Sequence, residues 1–288
     1  MPQPTRRSLI LSGALLLVRC EALAAPRAEL WPRWQQHDPR ATTRIDHAAW
    51  GGFLRKYLRP GDDGINRVAY GAIGGADRDA LASYIDTLAA TPISGFARSE
   101  QFAFWVNLYN AVTVGTVLAH YPVRSIRDID ISPGLFAIGP WRKKLVAVDG
   151  EALSLDDIEH RILRPIWRDP RIHYAVNCAA LGCPNLRLEP FSGANAEALL
   201  ERAAPEYINH PRGAAVQGGG LIVSSIYDWY QIDFGGSERG VIEHLRRYAR
   251  SPLAQALVGI SAISATRYDW ALNDAAATAA NRRNGAAE

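Results

Sequence analysis

The chain has 288 residues, of which 48% are hydrophobic and 21% charged. This is the composition of a globular protein with one large domain or two small ones, and it excludes intrinsic disorder, collagen and a coiled coil as descriptions of the whole chain. The formal net charge is only +3, so the sequence gives no reason to expect a nucleic-acid partner. Three cysteines are too few for a disulfide scaffold.

The first 24 residues have the pattern of an export signal. Arg6 and Arg7 precede an uncharged apolar run over 9–18, and small residues follow at 22–24 with the spacing that signal peptidase reads. The run has about half of the roughly 20 residues that a membrane-spanning helix needs. We therefore predict a twin-arginine signal peptide over 1–24, a periplasmic or secreted protein, and no transmembrane segment in the mature chain.

The remaining sequence alternates helical and strand patterns. Segment 25–45 is predicted to be a linker that docks on the domain through Trp31 and Trp34, and segment 274–288 is predicted to be a mobile tail. Helices are expected over 46–57, 77–89, 101–119, 155–163, 194–209 and 241–250. Strands are expected at 68–70, 144–148, 171–178 and 221–225. This mixture predicts a fold of class α+β, a single mixed helix and sheet domain over 46–273.

The predicted helix over 101–119 is apolar on nearly every side, which is typical of a core helix. Asn107 and Asn110 interrupt this surface on one side of the helix. A buried amide without a partner costs about 1–3 kcal/mol. Each amide therefore either binds neighbouring backbone groups or faces a polar cavity, and in the second case Asn107, Asn110 and Tyr109 would contact a substrate.

The next helix is predicted to start at Ser154, with Asp157 completing a capping box. On a helical wheel Glu159 falls inside the apolar stripe of this helix, and His160 borders it. A carboxylate that points into a core needs a partner, so Glu159 is a candidate functional residue.

The densest set of reactive side chains is His173, Asn177, Cys178 and Cys183. If 171–178 is a strand, alternation places His173 and Asn177 on one face and Cys178 on the other. Cys183 follows Gly182 in a turn that can fold back. It is therefore the better candidate for a thiol that meets a histidine.

Such a thiol would be a nucleophile activated by a neighbouring base. In this hypothesis Cys183 or Cys178 attacks and His173 or His160 is the base. The groups that would orient the imidazole or bind an oxyanion are Asn177, Asn107 and Glu159.

Three other interpretations of the cysteines stay open. Cys178 and Cys183 could form a disulfide across the short turn, or could bind a soft metal together with His173 or His160, although a C-x4-C spacing matches no strong ligand pattern. They could also be two buried reduced thiols that only pack. The sequence assigns no metal ligand and leaves any cofactor unknown.

An aromatic cluster follows between 227 and 234, and it consists of Tyr227, Trp229, Tyr230 and Phe234. These rings either belong to the core or form a surface that stacks on a sugar or peptide.

Four segments together resemble the domain of unknown function 547 family, which occurs in exported bacterial proteins and in some plant and animal proteins. The segments are 104–111 (FWVNLYNA), 154–163 (SLDDIEHRIL), 169–178 (DPRIHYAVNC) and 268–273 (YDWALN). The resemblance implies a family domain from about residue 50 to 273, with its core at about 95–235, and supplies no reaction. The motif positions that it marks are Asn107, Asn110, Glu159, His160, His173 and Cys178.

Two hypotheses of function follow from the residues. The first is an exported hydrolase or acyl transferase that depends on cysteine and histidine, loosely of the papain or transglutaminase kind. Its pocket would lie between the helix of Asn107, the helix of Glu159 and the strand of His173. The second is a non-catalytic envelope protein that binds a small molecule, a peptide or a partner and keeps its cysteines oxidised.

Overall fold

The computed structural model describes residues 26–134 and 137–276. The predicted signal peptide and residues 277–288 of the predicted tail lie outside the described residues. Within the described part, Asp274 is packed against the domain, because its carboxylate accepts a hydrogen bond from the Tyr121 hydroxyl at 2.8 Å.

The described chain forms an α+β fold, as predicted. Its α-helices are α1 (Ala48–Tyr57), α2 (Gly75–Ala89), α3 (Arg98–His120), α4 (Arg164–Trp167), α5 (Ala196–Ile208), α6 (Ile226–Trp229), α7 (Glu238–Tyr248) and α8 (Leu253–Ala256). Its strands are β1 (Leu58–Pro60), β2 (Asn66–Val68), β3 (Val146–Val148), β4 (Glu151–Leu153), β5 (Ala214–Gln217), β6 (Gly220–Ser224) and β7 (Ile263–Arg267). A π-helix, Asp157–Leu163, runs directly into α4, and shorter 3-10 turns connect several other elements.

The strands form three small sheets. Strands β1 and β2 pair antiparallel, as do β3 and β4, and β6 is the centre of a three-stranded sheet that is antiparallel to β5 and parallel to β7. Two apolar cores are present among the described residues. One surrounds α3, and the other lies between α5, α7 and the three-stranded sheet.

Helix α3 is the central element of the larger core. It is buried from Glu100 to Val114 without interruption, which agrees with its apolar residues on all sides. By length and composition it could cross a membrane, but 89% of its most apolar window is buried inside the protein. Its apolar surface is therefore covered by this chain.

The predicted strand over 171–178 is wrong. The structure has a 3-10 helix there, Pro170–Tyr174, followed by an irregular loop. Asp169 caps this helix by accepting a hydrogen bond from the amide of Arg171, and Pro170 occupies its first turn. The apolar alternation is explained by burial of the loop in the core, so the predicted two-faced arrangement of His173 and Cys178 does not exist.

Two other expectations need smaller corrections. The strand predicted at 68–70 lies earlier, as β2, and Tyr70 begins a 3-10 turn instead. The segment predicted as a helix over 155–163 is helical, but most of it is the π-helix. In a π-helix each amide donates to the carbonyl five residues earlier, as the amide of Arg164 does to the carbonyl of Glu159. The capping box is confirmed, since Ser154 and Asp157 exchange backbone and side-chain hydrogen bonds of 2.9 and 3.1 Å.

The segment 26–36, here called the N-terminal strap, docks on the π-helix. The amides of Glu29 and Trp31 donate to the carbonyls of His160 and Arg161 at 2.9 and 3.0 Å. Trp34 is 2% exposed and packs edge-on against Trp105 of α3, with ring centroids 5.0 Å apart. The strap is thus tied both to the core and to the carbonyls of the π-helix.

We predict that the strap depends on the Trp34 ring and not on its N–H group, which is buried without a partner among the described residues. Trp34→Ala should lower the free energy of unfolding by roughly 3–5 kcal/mol, whereas Trp34→Phe, which keeps a ring against Trp105, should cost only about 1–2 kcal/mol. Urea denaturation measures both values. Val258→Ala, at a side chain 79% exposed, is the control, and equal losses for the two Trp34 variants would contradict the prediction.

Candidate functional site

A cavity of about 750 Å³ lies between the two cores. Val176 belongs to the larger core and Ile226 to the smaller one, and both border the cavity. Six aromatic rings line it, namely Tyr109, Trp141, Trp229, Tyr230, Tyr268 and Trp270. Its ionisable lining consists of Arg127, Arg142, Asp156, Glu159, His160, His173, Cys178 and Cys183.

The cavity has an exposed side and a buried side. Arg127, Ile138 and Arg142 are exposed lining residues, and we call them the mouth. Tyr109, at 1% exposure, and Glu159 are buried lining residues, and we call the part of the cavity that they border the inner end.

The inner end is built on an ion network that joins three elements. His173 of the 3-10 helix contacts Asp233 through Nε2 at 2.7 Å and Glu159 through Nδ1 at 3.6 Å. Arg164 donates from Nε to the same Asp233 oxygen at 2.6 Å. Tyr230 stacks on the His173 ring, with centroids 4.2 Å apart. Charges of opposite sign therefore alternate through the network.

The network fixes the protonation of its members. Burial alone would lower the pKa of His173, but its hydrogen bond to Asp233 and the negative charge of Glu159 outweigh burial and raise it. Burial alone would raise the pKa values of Glu159 and Asp233, but their cationic neighbours hold both at about 2. His173 is therefore an imidazolium between two carboxylates near neutral pH, and neither ring nitrogen is available as a base.

His160 differs from His173 because it is neutral. Burial lowers its pKa to about 4. Its Nδ1 faces the Nη1 donor of Arg164 at 3.1 Å, so Nδ1 accepts and the proton is on Nε2. That Nε2 lies 3.6 Å from the carboxylate of Asp156.

Asp156 is the functional residue that the sequence interpretation missed. Its side chain is 24% exposed and lines the cavity beside Glu159 and His160. Burial and the neighbouring carboxylates of Glu159 and Asp157 raise its pKa to about 7. The capping box drew attention to Asp157, whose carboxylate instead binds Lys144 and Arg161.

The three predicted asparagines bind backbone groups and do not line the cavity in the described structure. Asn107 donates to and accepts from the backbone of Phe191, at 2.7 and 3.1 Å. Asn110 donates to the carbonyl of Ala175 and accepts from the amide of Asn177, at 3.0 and 2.8 Å. The side-chain amide of Asn177 donates to the carbonyl of Pro184 at 2.7 Å. Asn110 and Asn177 thus position the 175–184 loop, and Asn107 positions Phe191. Of the predicted substrate-binding residues, Tyr109 alone reaches the cavity.

The two cysteines lie side by side in the cavity wall, with their sulfurs 2.6 Å apart. The amide of Cys178 donates to Cys183 Sγ at 3.1 Å, and the Tyr268 hydroxyl lies 3.0 Å from the same sulfur and 3.3 Å from that of Cys178. Within the described chain these are the polar partners of the sulfurs. The predicted couple of a thiol with His173 or His160 is therefore not formed, because the ring nitrogens of both histidines face other groups.

The cysteine loop is held by the segment 269–273. The amides of Leu181 and Gly182 donate to the carbonyls of Ala271 and Asp269, each at 2.8 Å. A side chain at Gly182 would come within 2.8 Å of the Asp269 amide nitrogen, so this contact requires glycine. Trp270 belongs to this segment and Tyr268 directly precedes it, so the segment fixes both the loop and the aromatic wall.

The predicted aromatic cluster divides between core and cavity. Tyr227 and Phe234 are buried in the smaller core, at 0% and 3% exposure. Trp229 and Tyr230 line the cavity, and Trp229 stacks on Trp270 with centroids 5.5 Å apart.

Several site residues gave little signal in the sequence. Arg164, Asp233 and Tyr268 come from separate parts of the chain and converge only in the fold. Among residues 26–134 and 137–276, no group of three His, Cys, Asp or Glu side chains is arranged to hold a metal ion.

Comparison with protein families gives one match. Residues 93–208 match the family described as "Protein of unknown function, DUF547". This segment, 116 of the 288 residues, belongs to that family. The matched segment contains Tyr109, the π-helix, His173 and both cavity cysteines, whereas Asp233 and Tyr268 lie after it.

Searches of the curated proteins and of the solved structures found no match. The papain- or transglutaminase-like arrangement expected from the sequence therefore stays a prediction.

We predict opposite stability effects for two adjacent carboxylates. The folded-state pKa of Asp156 is raised, so this group favours folding below its ordinary pKa of about 4, and the benefit is lost as pH rises through about 7. The pKa of Asp157 is lowered to about 2, so its contribution is present above pH of about 4 and is lost toward pH 2.

Asp156→Asn should therefore stabilise the protein at about pH 8, by about 1.4 kcal/mol per unit of pKa shift and so by at most roughly 4 kcal/mol, with little effect near pH 4. Asp157→Asn should destabilise it near pH 8. Urea denaturation at both pH values measures the two effects. Destabilisation by Asp156→Asn at the higher pH would contradict the assignment.

Proposed function

We propose that this protein binds a small molecule or short peptide in the cavity, and that Cys178 and Cys183 form a disulfide in its wall. The observation that carries this proposal is the pairing of side chains around the cavity. The sulfurs are partnered with each other and with Tyr268, while both nitrogens of His173 are occupied by carboxylates. The geometry therefore supports ligand binding in the cavity better than it supports catalysis by a thiol and a histidine.

The size and lining of the cavity indicate the kind of ligand. Its volume of about 750 Å³ falls in the range of small-molecule sites, roughly 300–1,000 Å³. Trp141, Trp229, Tyr268 and Trp270 form a continuous aromatic wall, with neighbouring centroids 4.7 to 5.7 Å apart. Such a wall favours a flat apolar or aromatic group.

The mouth indicates an acidic group on the ligand. Arg127 lies over the Trp270 ring at 5.2 Å, and in the described chain neither Arg127 nor Arg142 forms an ion pair with a carboxylate. Two guanidinium groups beside an aromatic wall suit a carboxylate or another anion attached to a flat body. We therefore propose an aromatic or apolar acid as the ligand class.

We predict that 2-naphthoate binds saturably, and quenching of tryptophan fluorescence measures its affinity. The double variant Arg127→Gln/Arg142→Gln should bind about 2- to 30-fold more weakly, because two exposed charge pairs are each worth about 0.2–1 kcal/mol. Arg239→Gln removes an exposed arginine that pairs with Glu243, and it is the matched control. Equal affinities for the double variant and the control would contradict the ligand class.

We also predict that the thiols are unreactive after oxidation. Disulfide formation removes two protons and two electrons from the pair, and oxidised glutathione accepts them. After equilibration with oxidised glutathione, peptide mapping should find no iodoacetamide on Cys178 or Cys183 in urea, and both should label after dithiothreitol. Cys178→Ser, which leaves Cys183 without its partner, is the control: Cys183 should label in urea before oxidation, and after oxidation it should carry one glutathione as a mixed disulfide, which the wild-type pair should not.

A thiol-dependent hydrolase or acyl transferase is the second candidate, and one observation favours it. Burial would raise the pKa of Cys183, but hydrogen bonds from Cys178 and Tyr268 outweigh burial and lower it to about 7. If the native protein resists oxidation and Cys183 alkylates with a midpoint near this pH, the second candidate replaces the first.

We propose that the protein is exported to the periplasm or secreted. The support is the twin-arginine pattern of residues 1–24. An oxidising compartment would favour the disulfide form of the pair.

A further inference from the structure

The inner end of the cavity holds several hydrogen-bond donors that the described protein does not satisfy. Tyr109 is 1% exposed and lines the cavity, yet its hydroxyl has no hydrogen-bond partner within residues 26–134 and 137–276. The same holds for the hydroxyl of Tyr230 in this part of the chain. Tyr230 is half-buried, and both side chains line the cavity, so the two hydroxyls can donate to an acceptor on a bound ligand.

His160 adds a third donor. Because its Nδ1 accepts from Arg164, its Nε2 carries the proton, and the nearest carboxylate oxygen, on Asp156, is 3.6 Å away. This distance is too long for a hydrogen bond, so the N–H group is free to reach a ligand.

Asp156 is the carboxyl group that borders these donors. Unlike Asp157, which binds Lys144 and Arg161, it has no cationic partner within hydrogen-bond distance in the described chain. The ionisable and charged groups that act on it are Asp157, Glu159 and His160 from its own helix, Arg142 and Lys144 from the preceding loop, and Tyr230 from the segment after α6.

We propose that the inner end is an oxyanion site, in which Tyr109, Tyr230, His160 and protonated Asp156 bind a second carboxylate or similar oxygen group of the ligand. This inference rests on the proposed function, since it adds a second acidic end to the aromatic acid whose first acidic group lies at the mouth. The ligand class is then an aromatic or apolar diacid. A carboxylate accepts bonds from all four groups only while Asp156 keeps its proton.

The surroundings keep these donors protonated near neutral pH. Burial raises the pKa values of Tyr109 and Tyr230 well above that of an ordinary tyrosine. Burial, with the carboxylates of Glu159 and Asp157, raises the pKa of Asp156 to about 7. Above this pH an ionised Asp156 repels the second carboxylate, so binding of a diacid should weaken as pH rises.

The test compares naphthalene-2,6-dicarboxylate with 2-naphthoate, which lacks the second carboxylate. At about pH 6 the diacid should bind the full chain about 10-fold or more tightly than the monoacid, and most of this advantage should vanish by about pH 8.5. Asp156→Asn keeps a neutral donor, so its preference for the diacid should no longer depend on pH. Tyr109→Phe should reduce the preference about 10-fold or more, since it removes one hydrogen bond to a charged group.

Tyr248→Phe is the matched control, because this partly exposed tyrosine is remote from the cavity lining and should leave both affinities unchanged. Thermal unfolding of each variant shows whether it is folded. Equal affinities for the diacid and monoacid, or an unchanged preference in folded Tyr109→Phe, would overturn the oxyanion site alone. Failure of 2-naphthoate itself to bind would instead overturn the proposed function.

Discussion

The alternation of charge through Glu159, His173, Asp233 and Arg164 is the constraint on which the site depends. Each of these side chains is largely buried, and removing any one would leave an unpaired charge at a cost of roughly 3–5 kcal/mol. The network joins the π-helix and α4 to the 3-10 helix of His173 and to the turn after α6. These elements cannot move apart without separating buried charges. The cavity between the two cores is therefore a fixed feature of the fold.

The same network assigns chemical roles by exclusion. His173 is the most conspicuous histidine in the sequence, yet the charges on both sides make it a structural cation. His160 is neutral because burial lowers its pKa, and the hydrogen bond from Arg164 to its Nδ1 leaves the proton on Nε2. Arg164 also donates to the carbonyl of Pro26 in the N-terminal strap at 2.7 Å. Arg164 thus holds the strap in place and also fixes which ring nitrogen of His160 carries the proton.

The sequence predicted the helices well because their apolar patterns are long, and α3 was recognised as a core helix from its apolar residues alone. It failed at 171–178, where a short apolar alternation fits a strand as well as a packed 3-10 helix. It identified Glu159, His160, His173, Tyr109 and both cysteines as candidates. It could not distinguish Asp156 from Asp157, because the side chain that faces the cavity depends on the π-helix and not on a period of 3.6 residues.

Tyr109 connects the two chemical regions of the cavity. Its buried ring lies where the charges of Glu159 and of both cysteines act on its hydroxyl. The thiol pair is held by the 269–273 segment, whereas Asp156 and His160 are held by the π-helix, so oxidation of the cysteines and protonation of Asp156 are set by separate parts of the fold. A ligand that reaches the inner end would contact both regions through Tyr109. Oxidation would then change the wall beside the ligand without removing the donors that bind it, so ligand affinity and thiol state can vary independently.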